Sequence, residues 1–195
     1  MHNKERDAQD GGVHQSRTGH ARMFFALWPD AGVQALLSRH ARELQREVGG
    51  KLTREESIHL TLAFLGDIAL DRLCDVQNIG ARARFHPFTL ALDAAGCWGH
   101  NGIAWLGPHT TPEPLLWLVD SLRGRLQESG FRVEQRPYAA HVTVVRKARC
   151  APIRLTLAPI EWRVDAFVLV RSELDAGGSR YTMLGRWPDA RDKTD

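Results

Sequence analysis

Two four-residue stretches of this chain share one pattern, His59-Leu60-Thr61-Leu62 and His141-Val142-Thr143-Val144. Each reads His, apolar, Thr, apolar, inside a short β-favouring run, Ser57 to Gly66 and Ala139 to Arg146. Side chains alternate between the faces of a strand, so His59 shares a face with Thr61 and His141 with Thr143. Leu60, Leu62, Val142 and Val144 then point to the opposite face, toward a core. Imidazole titrates near pH 6.5, so one ring serves as base when neutral and another as acid when protonated. Such a pair can activate a water and protonate a leaving oxygen in the same step, and the threonine hydroxyls suit the non-bridging oxygens of a phosphate. In chains of ordinary composition about one His in 100 begins such a tetrapeptide by accident. Nine histidines make one accidental copy unsurprising but do not account for two.

No acidic cluster or Cys/His grouping with metal-ligand spacing accompanies the motifs, and HExxH, GxxxxGK[ST], GxSxG and GxGxxG are absent. The expected reaction therefore uses no metal and no cofactor. Arg146 would stabilise charge on a phosphate, but on a straight strand it falls on the parity opposite to His141 and Thr143. A strand end or a bulge is needed to bring it to the site.

The elements around the motifs repeat. Met23 to Trp28 reads as a strand stopped by Pro29-Asp30, and Ala31 to Val48 as a helix capped by Asp30 and ended by Gly49-Gly50. A loop, Lys51 to Glu56, leads to the first motif strand, which Gly66-Asp67 closes. In the second half, Gly102 to Gly107 is the strand, Pro112 to Ser129 the helix, ended by Gly130, and His141 opens the motif. Ile68 to Gly80 has a modest helical pattern, Phe85 to Ala95 reads as a strand, and Phe131 to Val133 as a short edge strand. Ile160 to Ser172 and Ser179 to Trp187 read as two strands joined across Gly177-Gly178. The duplication predicts an α+β protein, a bilobal, pseudo-symmetric pair of mainly antiparallel sheets with helices outside and the active cleft between the lobes.

The 195 residues suit one domain or two packed lobes, and the apolar and charged fractions are those of a soluble globular chain. No apolar run reaches the roughly 18 to 20 residues of a membrane span, and Met1 to Thr18 lacks a signal-peptide core. Residues 1–20 read as a flexible leader, with His2, His14 and His20 as solvated tail, and 189–195 as a C-terminal tail around a domain of 21–188. Three widely spaced cysteines, Cys74, Cys97 and Cys150, argue for reduced thiols and a cytoplasmic protein rather than a disulfide framework or zinc site. A net charge of +3 is compatible with an anionic partner. Trp98, Trp105, Trp117 and Trp162 read as core, and His86, His100 and His109 as solvated loop residues.

The paired motifs and their flanks resemble the 2H phosphoesterase superfamily, in particular its bacterial RNA 2′,3′-cyclic phosphodiesterase branch, historically called 2′-5′ RNA ligases. The resemblance covers roughly residues 22 to 188. It rests on Arg22-Met23-Phe24-Phe25-Ala26-Leu27-Trp28-Pro29, on His59 through Gly66, on His141 through Arg146, and on Ser172-Glu173-Leu174, Gly178, Tyr181 and Trp187-Pro188. It implies a bilobal α+β fold with a positively charged cleft, and it implies roles. His59 would donate a proton to the leaving ribose 3′ oxygen, and His141 would accept one from water, leaving a terminal 2′-phosphate. Thr61, Thr143 and Arg146 would bind the phosphate. Phe24, Tyr138 and Tyr181 are the candidates for base stacking; Tyr138 lies in Pro137-Tyr138-Ala139-Ala140, where the family more often has a basic or proline residue before the motif. The implied partners are RNA ends or nucleotides bearing a 2′,3′-cyclic phosphate, with no membrane and a monomeric enzyme, and reversible 2′-5′ ligation is an implied side activity. Two alternatives stay open: a cyclic phosphodiesterase acting on a small nucleotide or ADP-ribose cyclic phosphate, and a non-catalytic RNA-binding module.

Overall fold

Leu60 lies opposite Val142, which joins the two motif strands of the two halves of the chain. In the computed structural model, which describes residues 19–150, 152–156, 158–175 and 178–188, the strands are β1 His20–Leu27, β2 Lys51–Leu52, β3 Leu60–Ala69, β4 Phe88–Leu92, β5 Ala94–Trp98, β6 Ile103–Gly107, β7 Val142–Arg146, β8 Ile160–Val164, β9 Phe167–Asp175 and β10 Gly178–Trp187. The helices are α1 Ala31–Val48, α2 Leu73–Ala81 and α3 Glu113–Glu128. One sheet runs β10-β9-β1-β3-β7-β6-β5, with β2 also paired to β7, and β4 pairs with β8 in a separate two-stranded sheet. Every pairing among the described residues is antiparallel. The expected α+β class and its internal repeat are present: β1-α1-β3 in the first half answers β6-α3-β7 in the second, and β1 pairs β3 as β6 pairs β7. The two expected sheets are continuous through the Leu60–Val142 rung.

The helices lie over the face that carries the alternating apolar residues. Leu60, Leu62, Val142 and Val144 are fully buried in one core with Leu37 and Leu44 of α1 and Leu115, Leu118 and Leu122 of α3. Each long helix crosses to the opposite half: α1 packs on β6 and β7, and α3 on β3. Burial of that stripe, at roughly 25 cal/mol per Å² of apolar surface, reinforces the short β3–β7 and β2–β7 ladders that join the halves. Asp30 caps α1 as expected, its carboxylate accepting the Val33 N–H at 2.9 Å. The other face of β1 and β9 carries a smaller cluster, Phe24, Ala26, Val168 and Val170, with Trp28 and Tyr181 packed against it.

Several expectations are corrected. β3 does not stop at Gly66-Asp67 but continues to Ala69, because Met23 to His20 of β1 go on pairing with it, and α2 starts later, at Leu73. Phe85–Ala95 is not one strand but the end of a loop, then β4 and β5, and Ile160–Ser172 breaks at Asp165-Ala166. The periodicity hides both breaks, since β4 and β8 leave the main sheet to pair with each other. Phe131–Val133 forms no strand; Phe131 instead packs beneath Arg72 and into the core. The β9–β10 hairpin is present with Gly178 opposite Asp175, while Gly177 lies outside the described residues. So do residues 1–18 of the expected leader and the tail 189–195, whereas His20 of that leader is the first residue of β1. Among the described residues no helix is long and apolar enough to cross a membrane.

Cys97 and Cys150, expected as reduced thiols, are joined in a disulfide, with Cα atoms 5.4 Å apart. Their separation of 53 residues conceals what the sheet brings together. Ile103 of β6 lies opposite Arg146 of β7, and Ala148 N–H bonds to Gly102 O at 2.8 Å, which carries the chain after β7 to the tip of the β5–β6 hairpin. Cys74 is exposed and free.

β2 is set against β7 at a point that matters for the cleft. Gly50, just before it, has φ of +87°, and a Cβ there would lie 2.6 Å from the Arg146 carbonyl oxygen. Gly50→Ala is expected to lower Tm by roughly 2–10 °C, since forced left-handed backbone costs of order 1–3 kcal/mol. Gly124→Ala, within α3 and facing open space, should not lower it. Equal thermal shifts for the two variants would contradict this reading.

Candidate active site

The Leu60–Val142 rung places the motif residues before any side chain is considered. Extending that register one residue each way sets Thr61 opposite His141 and His59 opposite Thr143, all on the face away from the helices. The two His-Thr pairs thus form a compact square, with the histidines on a diagonal.

Each imidazole is oriented in the same way. His59 Nδ1 lies 2.8 Å from the Ser57 carbonyl oxygen, and His141 Nδ1 lies 2.8 Å from the Ala139 carbonyl oxygen. A carbonyl only accepts, so Nδ1–H donates in both rings and Nε2 is the atom left for chemistry. Phe24 (centroids 4.9 Å apart, 26°) and Trp28 (5.1 Å, 5°) stack on the His59 ring, and Tyr181 meets it edge-on at 5.3 Å. Trp98 meets the His141 ring edge-on at 4.5 Å and packs on Trp105. Trp105 in turn fits because Gly96 lies opposite it; a Cβ there would be 2.2 Å from the indole.

Both rings resist protonation. Burial lowers His59 to about 4, against the opposing pull of the Ser57 carbonyl, and the Arg146 and His141 charges lower it further. Burial likewise lowers His141, again helped by Arg146 and opposed by the Ala139 carbonyl. Both are neutral at pH 7. The stacked faces of Phe24 and Trp28 would favour an imidazolium at His59 once it forms.

Arg146 reaches the site through a bulge. β7 pairs with β6 at Trp105–Thr143 and then at Ala104–Val145, so Val144 is an extra residue and the parity switches. Val144 and Val145 are consecutively buried and Arg146 emerges on the face of Thr143. β3 bulges in the same place: Ala26 lies opposite Thr61 and Phe25 opposite Ala63, Leu62 and Ala63 are both buried, and Phe64 emerges on the face of Thr61. Arg146 and Phe64 are therefore equivalent positions of the repeat. A recess of about 320 Å³ is lined by His59, Thr61, His141, Thr143 and Arg146 together with Lys51, Arg54 and Tyr181. Lys51 pairs directly opposite Arg146, and Arg54 is tied by its guanidinium to the Ser179 carbonyl at 2.5 Å. Among the described residues no carboxylate forms an ion pair with Lys51 or Arg146. Such a recess, polar and cationic with two Nε2 atoms and two hydroxyls, suits a phosphate.

The sequence-derived stacking candidates are reassigned. Phe24 is 4% exposed and covered by His59 and Tyr181, so it shapes the histidine and offers no face to a base. Tyr138 donates its hydroxyl to the Thr61 carbonyl at 3.0 Å, and its ring lies under Arg123 at 5.5 Å, so it straps the approach to β7 onto β3. Burial raises its phenol well above the usual value, which keeps it a donor. Tyr181 lines the recess of His59 and Arg146 and meets the His59 ring edge-on. Of the tryptophans expected in the core, Trp162 is 3% exposed, whereas Trp98 borders His141 and Trp117 is exposed beneath Arg84. Lys51, Arg54, Trp28 and Trp98 were not singled out from sequence for the site; only the duplicated position of Phe64 and Arg146 carried a readable signal.

These proton affinities couple to stability. In the unfolded chain a histidine takes up its proton near pH 6.5, while folded His59 stays neutral to about 4. The unfolded state therefore binds more protons across that window, and stability falls as pH drops from about 6.5 toward 4. Urea midpoints for His59→Asn should show a smaller acid loss than wild type; an unchanged loss would contradict the low proton affinity.

Known proteins resemble this chain over most of its length. Residues 27–105 match the family description LigT like Phosphoesterase. A protein named RNA 2′,3′-cyclic phosphodiesterase from Escherichia coli K12 is 33% identical over 171 residues, 85% of this chain and 95% of that protein. Its namesake from Thermus thermophilus is 31% identical over 177 residues, 85% and 89% of the two chains. The crystal structure of E. coli LigT complexed with 3′-AMP superposes with a TM-score of 0.77 at 31% identity, covering 86% of this chain and 97% of that one. With identity of this extent over nearly the whole of its relatives, the chain belongs to the LigT-like phosphoesterases of the 2H superfamily.

Proposed function

We propose that this protein hydrolyses RNA 2′,3′-cyclic phosphate ends to 2′-phosphomonoesters by two-histidine acid–base catalysis without a metal ion. The observation that carries the reading is the pair of imidazoles fixed through Nδ1, each with a hydroxyl beside it, on one recess with Arg146. The phosphate rests between Thr61 and Thr143, and Arg146 and Lys51 balance its charge. His141 Nε2 accepts a proton as the water oxygen bonds to phosphorus. The bond from phosphorus to the ribose 3′ oxygen breaks, and His59 Nε2 gives its proton to that oxygen. Burial chiefly, and the Arg146 charge in part, lower the proton affinity of His59; a bound phosphodiester anion raises it by offsetting Arg146 and by attracting the imidazolium. Replacing water by a 5′-hydroxyl would give a 2′-5′ linkage through the same steps. The names of the relatives support the substrate class. The rim cations Lys51 and Arg146, joined by Arg54, whose charge Glu56 partly offsets, favour an RNA end over the small-nucleotide alternative.

The test is an oligonucleotide ending in a 2′,3′-cyclic phosphate, assayed in EDTA, with the product phosphate assigned to the 2′ or 3′ oxygen. Wild type is expected to give the 2′-phosphate, and His59→Ala and His141→Ala are each expected to lose about 10²- to 10⁴-fold in kcat. Turnover indifferent to both substitutions would sink the mechanism, and binding with no turnover would leave the RNA-binding module.

The pH profile offers a second test. One ring must be protonated and the other neutral, and both are lowered from 6.5, so kcat/KM in the free enzyme should peak below about pH 6.5 and fall as pH rises. Arg146→Ala removes a charge that lowers both rings. Its profile should be weaker overall and displaced toward higher pH; a displacement toward lower pH would contradict the assignment.

A further inference from the structure

The two motif histidines are oriented by the same kind of bond, but the carbonyls that make it stand on unequal ground. Ser57, whose carbonyl holds His59, is buried and ends a short 3-10 turn, Glu55–Ser57. Backbone bonds close that turn, from Ser57 N–H to the Arg54 carbonyl at 2.9 Å and from Ile58 N–H to the Glu55 carbonyl at 3.1 Å. Ala139, whose carbonyl holds His141, lies in the segment 131–141, which forms neither helix nor strand. His141 itself precedes Val142, the first residue of β7. Its height in the cleft and the direction of its ring therefore depend on what holds the residues just before it.

Tyr138 supplies that hold. One residue beyond the Leu60–Val142 pair, its hydroxyl donates to the Thr61 carbonyl at 3.0 Å, a bond that spans 77 residues of chain. Thr61 is held from its other side by Ala26 of β1, so it is the fixed end of the bond. The Tyr138 ring packs against the main core beneath Arg123 of α3. On the opposite side the Ala140 carbonyl lies against Gly107 of β6, where a Cβ would come within 2.7 Å of its oxygen. Residues 138–140 are thus gripped between β3 and β6 directly before His141. Arg123 also donates to the Arg136 carbonyl at 3.2 Å, but that tie lies farther back along the segment.

We propose that Tyr138 is a positioning residue for His141: its hydroxyl fixes the backbone at Ala139, and the Ala139 carbonyl in turn fixes the imidazole. The catalytic part of the proposal rests on His141 being the proton acceptor of the hydrolysis. The hydrogen bond made by one ring nitrogen decides which tautomer the other presents, so an Ala139 carbonyl that wanders frees both the tautomer and the ring. A base displaced by a fraction of an ångström costs rate while leaving ground-state binding of the substrate in place. Tyr138 also stands in the wall of a second recess of about 320 Å³, with Thr61, Trp98 and His141. Direct contact with the ligand is therefore the role that the test has to separate from positioning.

Tyr138→Phe keeps the ring and removes only the hydroxyl. On an oligonucleotide ending in a 2′,3′-cyclic phosphate, kcat should fall about 3- to 10-fold, the range of one lost hydrogen bond, while KM stays within about 2-fold. In long-range ¹H–¹⁵N spectra of the variant at pH 7, the His141 ring nitrogens should move toward the average of the two tautomers. Those of His59 should stay as in wild type, which makes His59 the internal control for general loosening. An unchanged kcat with unchanged His141 nitrogens overturns the proposal, and so does an equal displacement of both rings. A raised KM at constant kcat overturns it in favour of ligand contact. Failure of the hydrolase reading would show separately, as no turnover by wild type, and the His141 spectra would then decide the role of Tyr138 by themselves.

Discussion

The backbone pair Leu60–Val142 is the constraint on which this site depends. It joins β3 to β7 and fixes the relative height of two strands from opposite halves of the chain. A slip of one residue by either strand would turn that strand's histidine into the core and its apolar pair into the cleft. That slip is opposed by Leu60, Leu62, Val142 and Val144, all buried beneath α1 and α3. Apolar packing on one face thus sets the geometry of the two histidines on the other.

The same logic governs the histidines. Their Nδ1 partners are carbonyls two residues earlier in the chain, Ser57 and Ala139, so the orientation of each ring is built into its own segment. Around this symmetric frame the surroundings diverge. His59 is enclosed by Phe24, Trp28 and Tyr181, whereas His141 meets Trp98. Enclosure makes His59 hold a proton poorly, while His141 borders a second recess beside Thr61.

Much of this was legible in the sequence because it follows from strand periodicity. The face shared by His59 with Thr61 and by His141 with Thr143, the duplicated strand-helix-strand order, and the Asp30 cap all depend on local spacing. Arg146 was legible only as a conditional, since one extra residue at Val144 reverses the parity of everything after it, and nothing in Val142–Arg146 marks which valine is extra. The Cys97–Cys150 bond and the approach of Lys51 to Arg146 are products of the sheet order β7-β6-β5 and of the short β2, which bring distant residues together. Phe24 was misplaced for a related reason: an aromatic residue near a catalytic histidine can face the ligand or the ring, and only the packing of β9 and β10 decides.

The tautomer of the two histidines is the central claim in its barest form, and long-range ¹H–¹⁵N correlation spectra of the imidazoles at pH 7 test it directly. Neutral histidine in water favours the proton on Nε2. In this protein, His59 and His141 are expected to be neutral with the proton on Nδ1, leaving Nε2 unprotonated toward the cleft. A proton on Nε2 of either ring, or a charged imidazolium at that pH, would contradict the account.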